Sequence, residues 1–290
     1  MNTMTMMEFA EAVRVEIEKK IDKKAVIQRI NKNNGIEMYG LTILEAEVNI
    51  SPTIYVEPYY EMYEAVGMEE IVNSIMHVYE LYKPNHSIDV EPFLNFTSVK
   101  DKLAVKLINY EKNEEQLKEI PYSRFLDLAI VPVLRLENFI GGQATITVKN
   151  NLHETWGVDT EMIIKTALEN IRNDVSINSI FDCIGGIEFE CKEASDMQEL
   201  YVMTNSSKLF GASTMLWTDR LREIADVAGK DTLTIIPSSI HECLILLEEV
   251  EKEEMLGVVE EVNDSIVDTQ EILSYNIYKY NRLSDTITIA

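Results

Sequence analysis

Ser238, Ser239, His241 and Glu242 share one short polar link and form the densest set of reactive side chains in the chain. A hydroxyl nucleophile, an imidazole base and a carboxylate that orients it are the groups an acyl-transfer site needs, and His153 is a distant group that could complete it. The spacing is not that of a known elbow, because no G-x-S-x-G precedes the serines. The same types also make a capped turn, in which serine hydroxyls satisfy loop amides and His241 closes the link. Both readings stand at this point. A metal site is the second chemistry to weigh. His77, His86, His153 and His241 are the only histidines, and His153 and His241 each precede a glutamate. The fourth residue on is Gly157 after His153 and Ile245 after His241, so no H-E-x-x-H motif exists. Cys183 and Cys191 are not at zinc-ribbon spacing. The expectation is no metal site and no cofactor. With 50 acidic residues, carboxylate pairs for glycoside chemistry are too numerous for one to stand out.

The elements that would position the link are two apolar runs, Leu233–Ile236 and Cys243–Leu247. Pro237 ends the first run, and the pair reads as adjacent strands of a β-hairpin, buried on both faces. Upstream, Phe9, Val13, Ile17 and Ile21 recur at helical spacing and predict a helix over Met7–Ile21. Ala25–Ile30, Gly40–Asn49 and Ser51–Val56 read as strands, with a turn at Asn33-Asn34-Gly35. Tyr59, Tyr60 and Tyr63, then Ile71 to Tyr82, have helical spacing that stops at Lys83-Pro84. The tyrosines read as a packed helix flank rather than a base-stacking platform, which would sit in a basic groove. Val90–Phe96 looks like a short helix and Leu103–Ile108 a strand. Arg124–Leu136 is the longest apolar run and reads as one buried strand, bent or bulged at Pro132.

Gly141-Gly142 signals a turn without phosphate-loop spacing, and Ala144–Val148 returns as the neighbouring strand. Asn150–Trp156 reads as a connector, and Glu161–Arg172 as a helix capped by Asp159 or Thr160. Gly185-Gly186 leads into a strand over Ile187–Cys191. Leu200–Thr204 is a strand, Asn205–Lys208 a turn, and Leu209–Trp217 a returning segment before a helix that Gly229 ends. Lys252–Asn263 is an acidic helix, and Ser274–Tyr280 with Thr286–Ile289 make a last strand pair. Trp156 and Trp217 read as half-buried core residues. The order of elements predicts an α+β fold of mixed, largely antiparallel sheets with packed amphipathic helices. An N-terminal half, 1–157, and a C-terminal half, 158–290, have no linker between them and are expected to pack as one integrated fold.

Composition narrows the function classes. Apolar residues are 46% of 290, enough for a sizeable core, and 50 acidic against 26 basic residues leave a formal charge of -24. A surface so negative repels phosphate backbones and anionic membranes, so neither direct nucleic-acid binding nor membrane association is expected. It suits a basic protein partner, or mimicry of nucleic acid in a basic groove. Three cysteines make no disulfide framework and point to a reducing compartment. The first residues lack a basic n-region and an apolar h-region, and no apolar run approaches the ~20 residues that span a bilayer. A cytoplasmic location is the expectation.

Five stretches, in one order along nearly the whole chain, resemble a bacterial family, the domain of unknown function 5688. They are NISPTIYVEPYYE (Asn49–Glu61), VKLINYEKNEEQLKEIPYSRFLDLAIV (Val105–Val131), TWGV (Thr155–Val158), YVMTNSSKLFGA (Tyr201–Ala212) and IIPSSIHE (Ile235–Glu242). In layout, the second half is also similar to uncharacterised family 1444, through the Val131–Arg135 strand and the proline-interrupted strand pair near the end. The resemblance implies one integrated fold and cytoplasmic origin, and no activity, cofactor or substrate. The function expected is a non-enzymatic protein-interaction module. The alternatives are a hydrolase-like enzyme built on Ser238–Glu242 and a nucleic-acid mimic.

Overall fold

A computed structural model describes residues 4–139, 142–180, 200–247 and 250–290. The turn expected at Gly141-Gly142, the segment holding Cys183, Gly185-Gly186 and Cys191, and Glu248-Glu249 fall wholly or partly outside the described residues. The architecture is α+β, with three antiparallel sheets among the described residues. The chain divides into two compact units, Met1–Pro92 with Asn138–Gly142, and Phe93–Glu137 with Gln143–Ala290. The division therefore falls after Pro92. The stretch around Gly157, where the sequence suggests a boundary, joins two helices of the second unit.

In the first unit, helix α1 (Met6–Ile21) starts at a capping box: Thr5 Oγ1 accepts from the Glu8 N–H, and the Glu8 carboxylate accepts from the Thr5 N–H. Its stripe of Phe9, Ala10, Val13 and Ile17 is buried. Strands β1 (Ala25–Asn31), β2 (Glu37–Ile43) and β3 (Thr53–Tyr55) form a three-stranded meander. The β1–β2 turn places Asn34 at φ 60°, which asparagine tolerates. The strand expected to reach Asn49 stops at Ile43. Helix α2 (Glu57–Tyr82) joins both tyrosine-rich groups of the sequence and breaks at Gly67, where φ 78° and ψ 168° are open only to glycine. Before the break, Tyr60 and Tyr63 pack their rings on Phe9. After it, Ile71, Val72, Ile75 and Tyr79 fill the core against α1 and the meander.

The second unit begins with the short helix α3 (Phe96–Val99) and strand β4 (Leu103–Asn109), and continues through helix α4 (Glu114–Leu117). The run Arg124–Leu136 is a hairpin rather than one strand. Strand β5 (Ser123–Phe125) turns at Leu126, which takes φ 55°, into β6 (Leu128–Phe139), and β7 (Gly142–Thr147) returns beside it. The register between β4 and β6 runs unbroken from Leu103↔Leu134 to Asn109↔Leu128, so Pro132 neither bends nor bulges the strand. Its carbonyl accepts from Val148 on the flank away from β4, and its missing N–H lies on that same flank. From Leu128 to Leu134 both faces of β6 are buried. Leu128, Ile130 and Leu134 join the main core, while Ala129 and Val131 pack with Ile108, Leu117 and Ile120, which accounts for the continuous apolar run.

Asn150–Trp156, expected as a connector, is helix α5, closed by Gly157 at φ 64°. Helix α6 (Thr160–Ile171) is capped by Asp159, whose Oδ1 accepts from Met162 N–H at 2.7 Å. A six-stranded sheet follows in the order β13-β12-β10-β11-β9-β8. Its strands are β8 (Ser176–Ser179), β9 (Leu200–Thr204), β10 (Thr232–Ile236), β11 (Cys243–Leu246), β12 (Tyr278–Asn281) and β13 (Thr286–Ile289). The expected hairpin is β10–β11, with Ile235 opposite Ile245. Leu209–Trp217 does not return as a strand. It forms a 3-10 helix over Gly211–Leu216, followed by α7 (Thr218–Ala228) with Gly229 at its end. Helix α8 (Lys252–Ser265) lies between β11 and β12 in sequence. Ile163, Ala167, Met203, Leu233, Ile235, Ile245 and Tyr278 share one core, in which each large side chain contributes about 2 kcal/mol by leaving water. Trp156 and Trp217, expected half-buried, are both buried in this core.

Candidate functional site

Pro237 ends β10, and the link must cross to β11 while satisfying its own backbone groups. Ser238 Oγ donates to the Glu242 carbonyl at 3.2 Å, and the Ser239 N–H donates to the same oxygen. The His241 N–H donates to Ser239 Oγ at 3.0 Å. Ser238 Oγ thus donates to backbone, and Ser239 Oγ accepts from backbone. The ring turns toward the segment after β9: Phe210 N–H donates to His241 Nδ1 at 3.1 Å, and the two rings stack at 5.8 Å. An Nδ1 that accepts carries no proton, so neutral His241 is protonated on Nε2, which lies 3.5 Å from the Glu271 carboxylate. The nitrogen a general base would use is thus occupied by a backbone amide.

Further bonds close the link from outside. Thr204 Oγ1 donates to the His241 carbonyl, Ile240 N–H donates to the Glu271 carbonyl, and Ala212 N–H donates to the Ile240 carbonyl. Gly211 sits so close that an added Cβ would overlap Thr204 Oγ1, the His241 carbonyl and Asn205 N. His153 lies on α5, partly buried, and no hydrogen bond or ion pair among the described residues joins its ring to the link. The structure brings Ser238, Ser239, His241 and Glu242 together as a mutually bonded turn. Among the described residues, no three His, Cys, Asp or Glu side chains converge to hold a metal ion. Cys243, next to the link, is fully buried, and burial first and Glu242 second push its thiol upward, away from the thiolate.

A second polar constellation was not legible from residue types. The Asp127 carboxylate, at the β5–β6 turn, accepts from Ser274 Oγ at 2.6 Å, Asn276 Nδ2 at 3.0 Å and Tyr278 OH at 2.8 Å. Asn109 and Asn263 donate to the carbonyls of Leu273 and Ser274 beside it. Burial, then the Asp127 charge, raise the Tyr278 hydroxyl above the ordinary tyrosine value and keep it a donor. This clasp ties the segment before β12 to the four-stranded sheet. Its only signal in the sequence is the polar interruption Ser274-Tyr275-Asn276 between Leu273 and Ile277.

The ionic surface completes the picture. Every arginine is engaged within the chain: Arg14 with Glu11 and Glu18, Arg29 with Glu37, Arg135 with Asp174, Arg172 with Asp219, Arg220 with Glu223, Arg222 with Asp285, and Arg282 with Asp226 and Asp231. Arg124 lies over the Tyr110 ring at 4.2 Å. The carboxylates that remain set the outward field. Among the described residues no helix is long and apolar enough to cross a membrane.

The family model described as Family of unknown function (DUF5688) matches residues 6–282. No curated protein and no solved structure matches the chain. A match that spans nearly the whole sequence, both units included, shows that the chain belongs to the DUF5688 family.

Proposed function

We propose that this chain is a non-enzymatic, acidic, cytoplasmic interaction module whose partner presents a basic face. The observation that carries the reading is the distribution of charge. Acidic residues exceed basic ones by enough to give -24, and the arginines are already engaged with carboxylates or an aromatic ring of their own chain. Exposed pairs of this kind add little stability, and their consequence here is electrostatic. The net negative charge sets a field that attracts basic surfaces and repels phosphate backbones and anionic lipid. The link at Ser238–Glu242 supports the non-enzymatic part, since its hydroxyls and its imidazole face backbone groups. The test is recovery of the tagged protein from extract of the cells that make it, at low and high salt. The expected result is a stoichiometric basic partner, held at low salt and released at about 1 M, where the screening length shrinks to about 3 Å. A retained partner indifferent to salt, or none at all, overturns the reading.

A further inference from the structure

We infer that the exposed face of α8 is where that partner docks, and that the docking segment is a basic amphipathic helix. The inference rests on the reading just proposed and adds to it a place and an occupant. Helix α8 is attached along one narrow side, through buried Val259 and Asn263, the latter donating to the Ser274 carbonyl at 3.1 Å. About a quarter-turn round the helix from that side, apolar residues stand in the open: Val258 is 48% exposed, Val262 36% and Ile266, just past the helix end, 78%. At i, i+4 and i+8 these line up as one seam, roughly 12 Å long at the helical rise. A straight apolar seam of that length fits the ridge of a second helix.

The charge beside the seam selects the occupant. Glu254 and Glu261 neighbour Val258, one turn before it and one turn after, while Glu260 lies on the other side of the helix. Among the described residues no lysine or arginine pairs with any of the three, and the one cation within α8, Lys252, lies on the far side of the first turn. Acids near the N-terminus of a helix are stabilised by its dipole, but Glu260 and Glu261, near the C-terminus, oppose it. Glutamate suits a helix interior, but the dipole does not favour that placement, and a row of Lys or Arg on a partner helix would complement it. Gly257 adds a gap beside the seam, since a Cβ there would meet nothing within 4 Å. A second copy of this chain would set acid against acid, and an anionic membrane would do the same.

The test uses the full chain and two labelled peptides of about twenty residues made of leucine and lysine, long enough to be helical. One places its leucines on a single helical face. The other has the same composition, shuffled so that they spread around the helix. Fluorescence anisotropy at low salt should show the first bound about tenfold more tightly than the second. The double substitution Val258→Ser, Val262→Ser should remove that advantage, again about tenfold, with circular dichroism and melting unchanged. Glu254→Gln with Glu261→Gln should flatten the salt dependence, while Glu61→Gln with Glu64→Gln in the first unit should leave it alone. Equal binding of both peptides, indifferent to the α8 substitutions, overturns this surface and leaves the charge-driven reading in place. No binding of either peptide at low salt overturns both.

Discussion

The link at Ser238–Glu242 and the open face of α8 are both polar, both in the second unit, and opposite in what they do with their groups. In the link each hydroxyl and the Nδ1 nitrogen meet a neighbour of the same chain, and Gly211 leaves no room for an insertion. On α8, Glu254, Glu260 and Glu261 form no ion pair among the described residues, and Val258, Val262 and Ile266 face water. Reactive residue types mark the first region, and unmatched ones mark the second. A surface that holds unmatched charge and apolar area at fixed spacing has more to gain from a partner than one already closed on itself.

If the link is structural, disturbing it should cost stability. The largest effect expected is from Gly211→Ala, whose new methyl must displace Thr204 or the His241 carbonyl: a loss of at least about 3 kcal/mol, read as a lower urea midpoint or as failure to fold. Asp127→Ala removes the acceptor of three donors and strands the buried Tyr278 hydroxyl, for a loss of about 3 kcal/mol by the same assay. The same clasp predicts an alkaline transition. The Tyr278 hydroxyl titrates higher folded than unfolded, so its contribution is whole below the unfolded value of about 10 and declines as pH rises, by up to about 1.4 kcal/mol per pH unit. Tyr278→Phe should remove part of that slope in denaturation curves taken from pH 9 to 11.

His241→Ala leaves the Phe210 N–H unmatched and should cost about 1–2 kcal/mol, without changing peptide binding. Gly257→Ala completes the contrast from the other side. A glycine inside a helix, with open space where its Cβ would be, should gain about 0.5–1 kcal/mol when replaced, seen as a rise in melting temperature of a few degrees.

Much of this fold was legible because its signals are local. The Asp159 cap of α6, the Gly229 stop of α7 and the apolar runs on either side of Pro237 each announce an element within a few residues. Three segments misled for local reasons as well. Leu126 turns the chain at φ 55° without glycine, asparagine or proline, so β5 and β6 read as one strand. Helix α5 spans only Asn150–Trp156, too short for a period to show. Phe210 adopts φ 58° where its N–H meets His241, and the segment after it coils where a strand was expected. The site depended on distance along the chain. Four link residues could be named, but Thr204, Phe210 and Glu271, which decide what those residues do, are reached only through the fold. Asp127 and Tyr278 are 151 residues apart. The acidity of α8 is plain in the sequence. That Val258 and Val262 point outward depends on Val259 and Asn263 taking the buried side.

Hydrogen–deuterium exchange of the full chain, with and without the single-faced leucine–lysine peptide, sets the two regions against each other in one measurement. The account predicts slower exchange across residues 252–266 when the peptide is present, and no change across 237–242. Slower exchange at 237–242 with 252–266 unaffected would contradict it, and would make the link, rather than the helix, the surface this protein uses.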